Sequence, residues 1–136
     1  MKSFEGKTIY ITGGSSGIGL EMGRIFVEKG ANLLLLARNE QKLEAARHFM
    51  EKSRRTTTQR IGTLCVDVAD HIDVERVMKT ALEAYGAPDV LVCSAGINKY
   101  ADHFENITHA MFDEVTKINL YAPRNMIHTL LPAMKQ

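Results

Sequence analysis

The run Thr12-Gly13-Gly14-Ser15-Ser16-Gly17-Ile18-Gly19 follows the apolar stretch Thr8 to Ile11 and leads into an amphipathic segment. A glycine-rich turn between a strand and a helix leaves few side chains in the way and several backbone N–H groups free, the donors that a nucleotide phosphate needs. No Lys-Ser or Lys-Thr follows the glycines, so the turn is not a P-loop and ATP hydrolysis is disfavoured. Glycines also serve ordinary tight turns, so the meaning of the run depends on what surrounds it.

Apolar and amphipathic runs alternate along the chain. Lys7 to Thr12 reads as a first strand, followed by a helix from about Ile18 to Lys29, where Ile18, Met22, Ile25 and Phe26 recur at helical spacing and Gly30 marks the stop. Ala31 to Ala37 contains four consecutive leucines, a pattern suited to a strand covered on both faces. Asn39 is placed to cap a second helix, Glu40 to Arg54, with Leu43, Ala46, Arg47 and Met50 as a mixed inner face. The polar stretch Arg54 to Arg60 reads as a solvated connection. Ile61 to Val66 supplies a third strand, Asp70 begins a helix through Tyr85, and Gly86-Ala87-Pro88 ends it. Asp89 to Cys93 is the fourth strand. Thr108 to Met134 is helical again, bent or interrupted at Pro123.

Four strand-helix units in succession predict an α/β fold, a doubly wound parallel sheet of the Rossmann type with right-handed crossovers. The strand order should be 3-2-1-4, with ligands at the C-terminal edge beside strand 1, where the order reverses. At 136 residues the chain is one domain, residues 1–136, and short for a whole cofactor-dependent enzyme of this class.

Charge is nearly balanced, 17 Lys plus Arg against 16 Asp plus Glu, so nothing asks for nucleic acid or an anionic membrane as partner. No stretch approaches the ~18–20 apolar residues of a membrane span, and MKSFEGK lacks a signal-peptide core. Cys65 and Cys93 lie in or beside apolar runs without CxxC spacing and read as buried thiols of a reducing compartment, so a cytoplasmic protein is expected. The five histidines form no HxxxH pair, which argues against zinc.

The polar clusters fall where the sheet's C-terminal edge should be. Gly13 would permit the turn, Gly17 the approach of backbone to a diphosphate, and Gly19 tight helix-sheet packing, with Ser15 and Ser16 hydroxyls at the rim. The end of strand 2 should meet an adenosine ribose. Ala37 stands where an NAD site would place a carboxylate, and Arg38 with Lys42 one turn on can attract a 2′-phosphate, which favours NADP(H). Arg38 and Lys42 also suit a solvated helix start. Asp67 can accept from an adenine amino group while Val68 packs on the ring, or Asp67 can be a turn aspartate. Ala95 and Gly96 leave room for a ribose and nicotinamide. Asn119, between Ile118 and Leu120, is either a satisfied core residue or one that stabilises a kink.

These residues resemble the N-terminal part of a short-chain dehydrogenase/reductase. The run from Thr12 to Gly19, including Ile18, matches that family's TGxxxGIG pattern, Asp67-Val68 matches its adenine-side aspartate, and Cys93-Ser94-Ala95-Gly96 stands where Asn-Asn-Ala-Gly is usual. The resemblance implies that Asn119 is the asparagine of the catalytic tetrad, holding a water that relays protons. It also implies that the serine, tyrosine and lysine of the tetrad lie beyond Gln136, so that the 136-residue chain alone is inactive. Together with Ala37 to Leu43, the glycine run is similar to the branch that reduces a long-chain 3-keto sphingoid base with NADPH, and homo-oligomers are expected. Met126, Leu130 and Met134 suit either an oligomer contact or core packing. A nucleotide-binding scaffold without catalysis, and a reductase of another small or lipid carbonyl, are the competing readings.

Overall fold

The computed structural model describes residues 3–100 and 102–136. Four strands, β1 (Thr8–Thr12), β2 (Asn32–Ala37), β3 (Ile61–Cys65) and β4 (Val90–Cys93), form one parallel sheet in the order β3-β2-β1-β4. That is the expected order, and it puts the strand reversal between β1 and β4.

Helices α1 (Gly17–Glu28) and α2 (Glu40–Glu51) cover one face, and α3 (His71–Tyr85) with α5 (Ala122–Met134) cover the other. The leucine run of β2 explains this. Successive side chains of a strand point to opposite faces, and Leu33 and Leu35 pack with Ile9, Ile11, Leu43 and Met50, while Leu34 and Leu36 pack with Tyr10, Val74, Met78 and Met126. All four leucines are buried, each worth roughly 1.5–3 kcal/mol by removal from water. Tyr10 is wholly buried at the centre, its hydroxyl donating to the Ala81 carbonyl (3.0 Å) or the Gly86 carbonyl (2.7 Å).

Helix α1 departs from the periodicity reading. Its buried residues are Gly19, Gly23 and Val27, whereas Ile18 is 77% exposed and Ile25 is also exposed. The first two turns of the helix lie so close to the sheet that its inner face there is glycine: a Cβ on Gly23 would sit 3.0 Å from Met50 Cε and 3.2 Å from Leu33 Cδ2. Caps on α2 and α3 follow the expected chemistry. Asn39 accepts from the Lys42 N–H at 2.8 Å, and Asp70 accepts from Ile72 and Asp73. Helix α2 ends at Glu51, three residues short of the expected limit.

Three further expectations are corrected. Gln59 in the Arg54–Arg60 connection is buried rather than solvated. Its amide nitrogen donates to the carbonyls of Val27 (2.8 Å) and Ala31 (2.9 Å), and its oxygen accepts from Arg55 and Thr56. Cys65 and Cys93 are both exposed, because each is the last residue of an outer strand and emerges at the sheet's C-terminal edge. The long final helix is interrupted as expected, but ahead of Pro123 and not at it: α4 (His109–Thr116) gives way to a π-turn at Lys117–Tyr121, and Pro123 sits in the first turn of α5; a 3₁₀ turn at Phe104–Asn106 precedes α4. Met126 and Leu130 are fully buried and Met134 packs against them, so these three belong to the core.

Candidate functional site

The C-terminal edge of the sheet opens into a cleft of about 720 Å³. Its floor is the glycine turn, its sides are the ends of β2, β3 and β4, and Ile97 and Ile118 close one wall. Gly13, Ser15, Ser16, Gly17, Ile18, Arg38, Lys42, Asp67, Val68, Ala95 and Gly96 all line it.

Hydrogen bonds hold the turn. The Gly13 N–H donates to the Leu36 carbonyl at 2.8 Å, and the Thr12 hydroxyl accepts from the Ala95 N–H at 3.2 Å, fastening β1 to β2 on one side and to the β4 loop on the other. Gly13 has φ +67°, and a Cβ there would lie 2.8 Å from the Ala95 backbone. Gly19 is equally confined, its Cβ position being 2.5 Å from the Gly13 carbonyl. Gly17 differs. It has φ +55°, and nothing lies within 4 Å of where a Cβ would stand, so bare backbone faces open space at the first turn of α1. Ser16 occupies the N-cap position with no side-chain cap bond, leaving the helix's first N–H groups and its positive end for an anion. A diphosphate fits this cradle: an uncapped helix terminus, an open glycine backbone and two serine hydroxyls.

Arg38 and Lys42 are exposed at the end of β2 and the start of α2. Among the described residues neither has a carboxylate within ion-pair distance. The remaining basic side chains of α1 and α2 are engaged, Arg24 by Glu21 and Glu28, Arg47 by Glu44 and Glu51. Asp67 sits at the opposite wall. One of its oxygens accepts from the Ala69 N–H at 3.0 Å, forming a turn, and its own N–H donates to Asp73 at 2.8 Å. The Asp73 carboxyl is held below the usual aspartate range by that N–H and by Arg76. Val68 is buried beside it.

Asn119 does not line the cleft, and its role is visible in its hydrogen bonds. It lies in the π-turn, where its oxygen accepts from the Ile97 N–H and its nitrogen donates to the Ile97 carbonyl, both at 2.8 Å. This two-point clamp fixes the chain just after Gly96, whose own Cβ position would be 3.3 Å from the Asn119 oxygen. Two residues on, Lys99 pairs with Glu114 at 2.5 Å and Tyr100 donates to the same carboxylate. Glu114 is held below the ordinary glutamate range by Lys99 and Tyr100, with a smaller contribution from Arg38. The sequence marks Thr12 only as the opening residue of the glycine run and Ile118 only as an apolar helix position, and Ile97 carries no signal of its own. Ile97 directly follows Ala95-Gly96 and Ile118 precedes Asn119, so adjacency to the motifs is the available signal for their place in the cleft wall.

Among the described residues no cluster of His, Cys, Asp or Glu could hold a metal, and no helix is long and apolar enough to cross a membrane.

A parallel sheet in this order with a glycine-lined cleft at its reversal point defines a dinucleotide-binding class of fold. The family model for short chain dehydrogenases matches residues 7–136, and the chain belongs to that family. Over 130 residues it is 36% identical to the 3-ketodihydrosphingosine reductase of Bos taurus, matching 92% of this chain and 39% of the relative. It is 28% identical to dehydrogenase/reductase SDR family member 4 of Oryctolagus cuniculus, over 96% of this chain and 48% of that protein. The chain thus spans less than half the length of these relatives. Among solved structures it superposes on L-sorbose reductase from Gluconobacter frateurii, complexed with NADPH and L-sorbose, with a TM-score of 0.88 and 27% identity, over 98% of this chain and 49% of that one. Levodione reductase gives a TM-score of 0.91 at 29% identity, over 97% and 50%.

Proposed function

We propose that this chain is the NADP(H)-binding portion of a short-chain reductase that converts a ketone to a secondary alcohol, with 3-ketodihydrosphingosine as the favoured substrate. The observation that carries the cofactor assignment is the pair Arg38 and Lys42, solvent-facing, with no carboxylate within ion-pair distance among the described residues, and standing at the end of β2 beside Ala37. A 2′-phosphate supplies the anion these cations lack. The substrate assignment rests on the 36% identical relative and its printed activity.

When bound, the dinucleotide supplies the hydride. The residues of this chain bind and orient it. Backbone N–H groups at Gly17 and the start of α1, with the Ser15 and Ser16 hydroxyls, hold the diphosphate. Asp67 has one oxygen left for the adenine amino group, against Val68. Ala95 and Gly96 offer small residues beside the nicotinamide ribose. Asn119 fixes the wall at Ile97 and contributes to proton relay. By family resemblance the serine, tyrosine and lysine that complete the chemistry belong to the part of the fold that follows.

The test is a pair of titrations on the full-length protein. NADPH is expected to bind more tightly than NADH, and Arg38→Ala to narrow that preference by about 10- to 100-fold, the equivalent of the roughly 1.5–3 kcal/mol of a charged hydrogen bond. Equal affinity of the unmodified protein for both cofactors removes the role given to Arg38. Turnover of 3-ketodihydrosphingosine, compared with short ketones, decides the substrate.

A further inference from the structure

A carboxylate stands beside the cleft, held by two residues of the loop between β4 and α4. Glu114 lies on α4, about one helical turn before Ile118 of the cleft wall. One of its oxygens accepts from Lys99 Nζ at 2.5 Å, and the other accepts from the Tyr100 hydroxyl. Lys99 Nζ is also 5.2 Å from the centre of the Tyr100 ring, so ammonium, phenol and carboxylate form one compact group. The loop that carries them is fixed at Ile97 by the Asn119 clamp. Arg38 lines the same cleft and makes no ion pair with Glu114. Its charge still reaches that carboxyl, which is held below the ordinary glutamate range by Lys99 and Tyr100 first and by Arg38 from farther off. A bare carboxylate in this position would act twice against a bound 2′-phosphate, repelling the phosphate and competing for the Arg38 guanidinium. An ammonium 2.5 Å away cancels most of that field at a distance.

We propose that Lys99 is a specificity-determining residue for the cofactor: by neutralising Glu114 it keeps Arg38 free to take a 2′-phosphate. The role is exercised through Glu114, not by contact with the dinucleotide, and it rests on the NADP(H) reading above. Two other roles for a lysine here make different demands. A direct cation for the phosphate acts whether or not Glu114 is charged. A merely structural tie for the loop affects NADH and NADPH alike.

Binding titrations of the full-length protein at low ionic strength, where exposed charges act over the longest range, separate the three roles. Lys99→Gln should lower the ratio of NADPH to NADH affinity about three- to fivefold, the scale of an exposed ion pair, and leave NADH affinity unchanged. In a Glu114→Gln background the same substitution should change the ratio by less than about twofold, because the charge that Lys99 offsets is gone. A loss as large in that background as in the wild type, an equal loss for both cofactors, or an unchanged ratio in Lys99→Gln overturns the proposal. If the unmodified protein binds the two cofactors equally, the NADP(H) reading fails on its own. A carbon-13 titration of Glu114 in the cofactor-free protein then decides whether Lys99 keeps Arg38 from Glu114. Arg38→Ala should raise the titration midpoint of that carboxyl more in Lys99→Gln than with Lys99 present, and equal rises overturn this role.

Discussion

Two glycines of one turn make different demands, and substitution distinguishes them. Gly13→Ala combines a positive φ with a Cβ 2.8 Å from the Ala95 backbone. Urea denaturation should show a loss of about 2–4 kcal/mol, since left-handed backbone costs roughly 1–2 kcal/mol and overpacking roughly 1–3 kcal/mol. Gly17→Ala meets no neighbouring atom and should lose only about 1–2 kcal/mol, the cost of its φ. Its larger effect should be on cofactor affinity, because the new methyl stands where the diphosphate approaches; calorimetric titration measures this directly. A sequence reader sees both as members of one motif. The difference between them depends on Ala95, 82 residues away from Gly13 in the chain, and no local pattern encodes that contact. Asn119 was legible as a polar residue at a kink, but its partner Ile97 lies 22 residues away and became evident only in three dimensions.

At the scale of elements, the strand order and the two-sided burial of β2 were legible, because alternating apolar and amphipathic runs reflect the layers directly. The inner face of α1 was not. Periodicity counts large apolar side chains, and this helix packs through Gly19 and Gly23, leaving Ile18 outside. Nor was the anchoring of the α2–β3 connection, where one glutamine replaces a backbone ladder. Gln59→Ala leaves the Ala31 carbonyl without that donor in a dry place, whereas the Val27 carbonyl keeps the Gly30 N–H, and should cost about 1–3 kcal/mol by chemical denaturation, the penalty of roughly one unsatisfied group. Asp89 joins the beginnings of β4 and β1, accepting from Lys7 Nζ and the Thr8 N–H, both at 2.8 Å. Lys7 and the Thr8 N–H hold its carboxyl below the usual aspartate value. A depressed carboxylate contributes stability above its unfolded pKa of about 4 and loses it as pH falls through the folded value. Asp89→Asn should therefore flatten the acid limb of a stability-versus-pH curve while lowering the plateau near neutrality.

Considered as a whole, the molecule divides its labour between two edges of the sheet. The C-terminal edge holds the cleft, and the opposite edge carries the Gln59 anchor and the Asp89 tie. Beyond β4 the ladder has no further strand among the described residues, and Val90, Leu91 and Val92 are only half-buried there. Leu120, Tyr121, Ile127 and Leu131 are exposed around the π-turn and α5. A polypeptide confined to these 136 residues should therefore self-associate. Sedimentation across a concentration series checks this, and a monomer at every concentration contradicts it. The buried Tyr10 hydroxyl gives the same molecule an optical signature. Burial, with Tyr85 close by, pushes its pKa up to about 12, so it holds its proton when an ordinary tyrosine near 10 has lost it. A raised pKa contributes stability below about 10 that disappears as pH climbs through 12. In an alkaline absorbance titration, one of the four tyrosines should remain spectrally silent until the sheet opens, and its late, cooperative appearance times the collapse of the core without any added label.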